Sequence, residues 1–161
     1  MTAQPQPGWG RATGHVTLPP AEPGGEALDR FLIAERVARY GWAFDERDRS
    51  ALAACFTPDA TWQGLVMGRD PIGPFRGADA IADWLAGFWD SQPDQRRHVF
   101  TNVVVGQREP GRATAHAYLV LLSSQDAATR VASAGPYRFD LHRTGGQWLI
   151  TELRAGFDAP F

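Results

Sequence analysis

Apolar positions along the chain change their period near residue 93. Before that point they recur every three or four residues, as on one face of a helix; after it they alternate or run on continuously, as in strands. Between Ala27 and Phe44, the residues Leu28, Phe31, Leu32, Val37, Tyr40, Gly41 and Phe44 form one such stripe and predict a long first helix. Asp48 and Ser50 offer N-cap oxygens to a short second helix over ALAACF, which Thr57-Pro58 should stop. The stretch ATWQGLV alternates well enough for a strand. The following segment, with Gly68, Pro71, Gly73, Pro74 and Gly77, reads as a loop. A third helix is expected from Ala78 to Trp89, with Ile81, Trp84, Leu85 and Phe88 on one face.

Beyond Pro93, HVFTNVVVGQ, RATAHAYLVLLSS, RVASAGPYRFDLHRT and GQWLITELRAGF read as four β segments. Turn signals separate them at Glu109-Pro110-Gly111, Ser124-Gln125-Asp126 and Thr144-Gly145-Gly146. Helices first and an antiparallel meander last predict an α+β fold, with helices packed on one face of a curved sheet. Residues 1–26 are rich in Pro, Gly and Thr and lack apolar periodicity. They read as an N-terminal arm ahead of one domain over residues 27–161, with Trp9 and Val16 available to dock the arm on the domain or on a partner subunit.

Composition narrows the function. A chain of 161 residues with 43% hydrophobic and 21% charged positions is one ordinary globular domain. A net charge of -2 leaves no basic excess to grip nucleic acid or an anionic membrane, so neither is expected as a partner. All sixteen basic residues are Arg, which excludes a lysine Schiff base and a P-loop lysine. Cys55 stands alone, so no intramolecular disulfide or multi-cysteine metal site can form, and a reducing, cytoplasmic setting fits. No basic segment followed by an apolar run suggests a signal peptide, and no apolar stretch is long enough for a membrane helix. His15, His116 and His142 make no HxH or HExxH pattern, and GxGxxG, Walker A and G-x-S-x-G motifs are absent. No cofactor and no metal are therefore expected.

Four segments carry a resemblance: YGWAFDERDRSALAACFTPDATW, FRGADAIADWL, RHVFTNVVV and GGQWLI. In this order and spacing the chain resembles the SnoaL-like family of the nuclear transport factor 2-like superfamily. The resemblance implies a cone-shaped α+β barrel: a curved mixed or antiparallel sheet, wrapped by three N-terminal helices around a pocket. It also implies a homodimer formed through the sheet. Lyases of the family, such as scytalone dehydratase, bile-acid 7α-dehydratase and lindane dehydrochlorinase, carry an Asp and a His in motifs that match Asp45 and His98 here. The resemblance thus implies an Asp45–His98 dyad, with Tyr40 matching a tyrosine of the bile-acid enzyme.

The chemistry of these groups is coherent in its own right. A buried carboxylate holds one imidazole N–H, the other ring nitrogen takes a proton, and a nearby phenol donates to a carbonyl or a leaving hydroxyl. Tyr40 and Asp45 lie about 140° apart around a helix, so they converge only if the helix ends between them. His116 and Tyr118 share one face of their strand, directed either into the pocket or away from it. The third polar group of family lyases would fall near Val120 to Leu122, which is apolar here. Arg154 could bind a substrate oxygen or pair with Glu152. Large rings are abundant, and Trp42, Trp62 and Phe100 are the aromatic candidates for contact with a flat cyclic substrate, with Met67 and Phe75 as a lid. The expected function is a cofactor-independent acid–base enzyme, a dehydratase or cyclase acting on a small cyclic or polyketide-like carbonyl compound. An isomerase or epimerase with the same proton abstraction, or a non-catalytic ligand-binding or accessory subunit, are the alternatives.

Overall fold

The structure, a computed structural model, describes residues 6–18 and 27–160. Of the expected arm, residues 1–5 and 19–26 lie outside the described residues. The elements in order are α1 (Trp9–Ala12), α2 (Ala27–Asp45), α3 (Arg49–Ala53), β1 (Phe56–Val66), β2 (Asp70–Arg76), α4 (Ala78–Ala86), a 3-10 turn (Trp89–Ser91), β3 (Gln95–Glu109), β4 (Arg112–Gln125), β5 (Ala128–Thr144) and β6 (Gln147–Phe157). The strands form one six-stranded sheet in the order β2-β1-β6-β5-β4-β3. It is mixed: β1 runs parallel to β6, and every other neighbouring pair is antiparallel. None of the described helices is long and apolar enough to cross a membrane.

The four-strand meander forms where alternation and turn residues predict it. The Gly/Pro segment does not remain a loop, because Asp70–Arg76 pairs with β1 as strand β2. It sits at the sheet edge, where Pro71 and Pro74 cost no ladder hydrogen bonds on the open side. Asp48 caps α3 by accepting from the Ala51 N–H at 2.9 Å, whereas Ser50 hydrogen-bonds Asp48 instead of capping. That helix ends at Ala53, and Thr57-Pro58 already belongs to β1.

The buried stripe of α2 differs from the predicted one. Leu28 and Phe31 are exposed, while Asp29, Ile33, Val37, Tyr40, Gly41 and Phe44 face inward. Asp29 earns its buried place by accepting from Trp148 Nε1 at 3.0 Å, and Arg36 donates to the Trp148 carbonyl at 2.7 Å. These bonds tie α2 to β6.

The inner face of the sheet carries Ala113, Ala115, Ala117, Leu119 and Leu121 on β4, and Tyr137, Phe139 and Leu141 on β5. Irregularities bend the strands around this core: β3 shifts register between Thr101 and Val104, β4 against β5 at Leu121/Leu122, and β5 against β6 at Asp140/Leu141. The curved sheet and the helices on its inner side make a cone.

The described part of the arm packs on the outer face. Trp9 donates to Asp158 at 2.8 Å, and its ring lies on Gly68 and Gly156. A Cβ at Gly156 would fall 2.9 Å from that ring and 2.3 Å from the Pro136 carbonyl oxygen, so only glycine permits this approach. His15 packs against Trp9 with its ring tilted and is pushed down to about 4, first by burial and then by the charge of Arg154 and Arg138; hydrogen bonds to the backbone of Ala155 and Arg154 oppose the shift.

In the unfolded chain His15 titrates near its ordinary value of 6.5. Between that pH and about 4 the unfolded chain binds a proton that the folded chain refuses. Stability is complete above the window and is lost as pH falls through it. The urea midpoint should therefore drop from pH 7 to pH 4.5, and His15→Phe should flatten the slope. An identical slope in both proteins would show that other groups carry it.

Candidate active site

Helix α2 crosses β3 at Gly41. A Cβ there would meet His98 Cβ at 3.1 Å and a Phe100 ring carbon at 3.3 Å, so the missing side chain brings helix and strand together. Four residues later on the same helical face is Asp45. Its Oδ1 lies 2.6 Å from His98 Nδ1, and its Oδ2 accepts the His98 backbone N–H at 2.7 Å. One carboxylate thus holds both the strand backbone and the ring. Because a carboxylate accepts and does not donate, the Nδ1 proton points at Asp45 and Nε2 is left for other partners. Both side chains are less than a tenth exposed. Gln95 reinforces the junction by donating to the Asp45 carbonyl at 3.0 Å, and Arg97 pairs with Glu46 at 2.8 Å.

The helix does not end between Tyr40 and Asp45; it runs through both. Convergence comes from the crossing geometry instead. Gly41 and Asp45 face β3, while Tyr40, about 100° around the helix, projects into the cone. Its ring stands edge-on to His98 with centroids 6.4 Å apart. Trp62 donates its Nε1–H to the Tyr40 oxygen at 3.3 Å, and burial raises the phenol far above its ordinary range, so Tyr40 stays protonated.

A cavity of about 40 Å³ opens beside these groups, walled by Phe44, Trp62, Trp84, Phe88, Leu121 and Phe157, with Tyr40, His98, Tyr137, Arg96 and Gln92 as its polar members. A six-membered ring would fit it only if the aromatic wall shifted. Phe75 stacks on Trp84 with centroids 4.1 Å apart, and the Met67 N–H bonds the Phe157 carbonyl; both residues back this wall.

Several expected site residues lie elsewhere. Trp42 is 67% exposed and borders a separate cleft of about 660 Å³ between α2, α3 and the β5–β6 turn. It sits on the helical side opposite β3, because a one-residue step from Gly41 turns it outward. His116 and Tyr118 do share a face, but it is the outer one, since Ala115, Ala117 and Leu119 take the inner positions. Arg154 is also on the outer face, paired with Glu152 at 2.8 Å. Phe100 packs behind the cavity against Tyr40, His98 and Tyr137. Leu121, opposite His98 in the ladder, is the apolar wall foreseen near Val120 to Leu122.

The residues that sequence reasoning missed are Tyr137, Arg96 and Gln92. Two of them had a signal in the strand period: Arg96, His98 and Phe100 alternate inward on β3, as Tyr137 and Phe139 do on β5. Arg96 Nε lies 2.5 Å from Asp94. Burial opposes ionisation of Asp94, but the Ser123 hydroxyl and the Arg96 guanidinium together hold its carboxyl below the usual value.

The match to the SnoaL-like domain spans residues 25–154. The chain belongs to the SnoaL-like family. No curated protein matches it. Among solved structures, a Catenulispora acidiphila protein in complex with S-DNPA is 29% identical, with 83% of this chain and 96% of that one covered at a TM-score of 0.70. ActVI-ORFA from Streptomyces coelicolor is 21% identical over 80% of this chain and 96% of that one, at 0.69. A Novosphingobium aromaticivorans protein assigned as the β subunit of an aromatic-ring-hydroxylating dioxygenase is 18% identical over 83% and 92%, at 0.71. The last two share the fold with this SnoaL-like chain.

The crossing at Gly41 sets the dyad distance, so Gly41→Val should force α2 and β3 apart. Overpacking of this kind costs about 1–3 kcal/mol. The expected result is a lower melting temperature and a shifted His98 ring resonance in NMR spectra, while unchanged values for both would remove Gly41 from its spacer role.

Proposed function

We propose that this protein is a cofactor-independent acid–base enzyme, a dehydratase or cyclase of small cyclic, polyketide-like carbonyl compounds. The observation that carries the reading is the buried two-point contact of Asp45 with His98. His98 Nε2 takes a proton from the carbon next to the substrate carbonyl. The electron pair moves to form a C=C bond as the C–O bond of a β-hydroxyl breaks. That hydroxyl leaves as water, with a proton from Tyr40 or from the imidazolium itself. Asp45 holds the ring orientation and stabilises the imidazolium without being protonated. Isomerisation, epimerisation or ring closure follows from the same first step when the substrate lacks that leaving group. Trp62, Phe44 and Phe88 supply the apolar wall for a ring.

The small cavity favours a second reading, a binding or accessory subunit, and the similar Novosphingobium protein is itself assigned as an enzyme's β subunit. We also read the chain as a homodimer joined through its outer sheet face, where Val99, Tyr118 and Val131 stand exposed. Sedimentation velocity should then report twice the 17.6 kDa chain mass, and Tyr118→Arg should return the monomer. A wild-type monomer would dismiss the pairing.

Exchange of the carbon-bound proton of cyclic hydroxy-ketones for deuterium reads the common first step directly. His98→Ala should abolish exchange. Asp45→Asn should slow it by roughly 10² to 10⁴, the range for disabling positioned acid–base catalysis. Circular dichroism should show both variants folded. Exchange that persists in His98→Ala would refute the assignment, and no exchange with any ketone in the wild type would favour the binding-subunit reading.

A further inference from the structure

Among the described residues, some buried side-chain donors are paired within the fold, and others, such as Trp89 Nε1 and Ser133 Oγ, are not. Trp62 donates to Tyr40, Trp148 to Asp29 and Trp9 to Asp158. Tyr137 is 2% exposed and lines the cavity, yet its hydroxyl makes no hydrogen bond among the described residues. Rings surround it: Phe100 at 5.3 Å, Phe139 at 6.0 Å and Phe157 at 5.8 Å between centroids. Burial and the neighbouring Tyr40 raise its phenol well above the ordinary value, so the group keeps its proton. A phenol left idle in an apolar wall is costly, and phenylalanine would fill the same space without that cost. An acceptor brought in by a ligand accounts for the hydroxyl.

The location limits which acceptor. Tyr137 and His98 are both ring neighbours of Phe100, at 5.3 and 6.1 Å, so they serve one compartment. A neutral donor among aromatic rings favours an uncharged oxygen carried on a flat apolar frame. A ring ketone or quinone-type carbonyl has that character. Tyr40, whose oxygen already accepts from Trp62, is the more constrained of the two phenols.

We propose that Tyr137 is a substrate-binding residue that donates its hydroxyl hydrogen to the carbonyl oxygen of a ring-bearing substrate, while His98 faces the adjacent C–H. The second half rests on the acid–base reading above; the first half does not. Polarising that carbonyl makes the neighbouring C–H more acidic and holds the negative charge that develops on oxygen. No bond to Tyr137 forms or breaks.

Acetophenone and ethylbenzene differ in the oxygen that Tyr137 should read, and acetophenone also carries an exchangeable methyl group. NMR titration of the full chain should give a roughly tenfold preference for acetophenone, the value of about one good hydrogen bond. Tyr137→Phe should lose the preference, keep its affinity for ethylbenzene, and melt at the same or a higher temperature. His98→Ala should keep the preference while losing deuterium exchange of the methyl group. Failure of the dyad and failure of Tyr137 are thereby separated. The proposal is overturned by a preference that survives in Tyr137→Phe, by a melting temperature several degrees lower in that variant, which would reveal a structural partner, or by a wild type that binds neither compound or binds both equally.

Discussion

The site depends on one carboxylate that grips two groups. Asp45 accepts both the backbone N–H and the ring Nδ1 of His98, so the last turn of α2 and the start of β3 are locked at the same point. Beside that grip, Gln95 donates to the Asp45 carbonyl and Arg97 pairs with Glu46 at the surface, where exposed pairs contribute little. Removing one member of a close buried pair strands the other, which costs more than the pair itself contributes. The same contact that fixes the orientation of the imidazole is therefore part of the scaffold. Gly41 makes it possible by letting the helix approach the strand.

Curvature divides the polar residues into two populations. On the outer face the groups pair with one another: Gln63 and Arg154 both bond Glu152, and Thr114 and Arg138 both bond Asp140. Trp9 and His15 of the arm cover part of this face near Gly156. On the inner face few polar groups remain, and they stand among aromatic rings. His98, Tyr40 and Tyr137 stand in surroundings of low polarity, where a hydrogen bond is stronger than it is in water. That separation explains how a charge-rich strand set can enclose a largely apolar cavity.

The meander was legible because strand alternation and Gly/Asp turns are local signals; β3 to β6 lie where pattern and punctuation place them. The α3 cap at Asp48 was legible for the same reason. Strand β2 was not, since two prolines read as a breaker unless the segment is known to be a sheet edge. The α2 stripe was misjudged at Leu28 and Phe31 because helical spacing shows only that apolar residues line up, and partners such as Trp148 decide which stripe is buried.

What the sequence determined by itself was the α+β order and the absence of lysine chemistry, while the resemblance carried by its motifs pointed to Asp45 and His98. Each follows from local pattern, composition or motif. What only the tertiary structure decided was direction. Two-residue periodicity puts His116 with Tyr118 and His98 with Phe100, but it cannot say which pair looks inward. The sheet's sense of curvature settles that, sending His116, Tyr118 and Arg154 outward and turning Tyr137 and Arg96 toward the cavity. Curvature arises from register shifts and from helices packing across residues far apart in sequence, and no window along the chain contains that information.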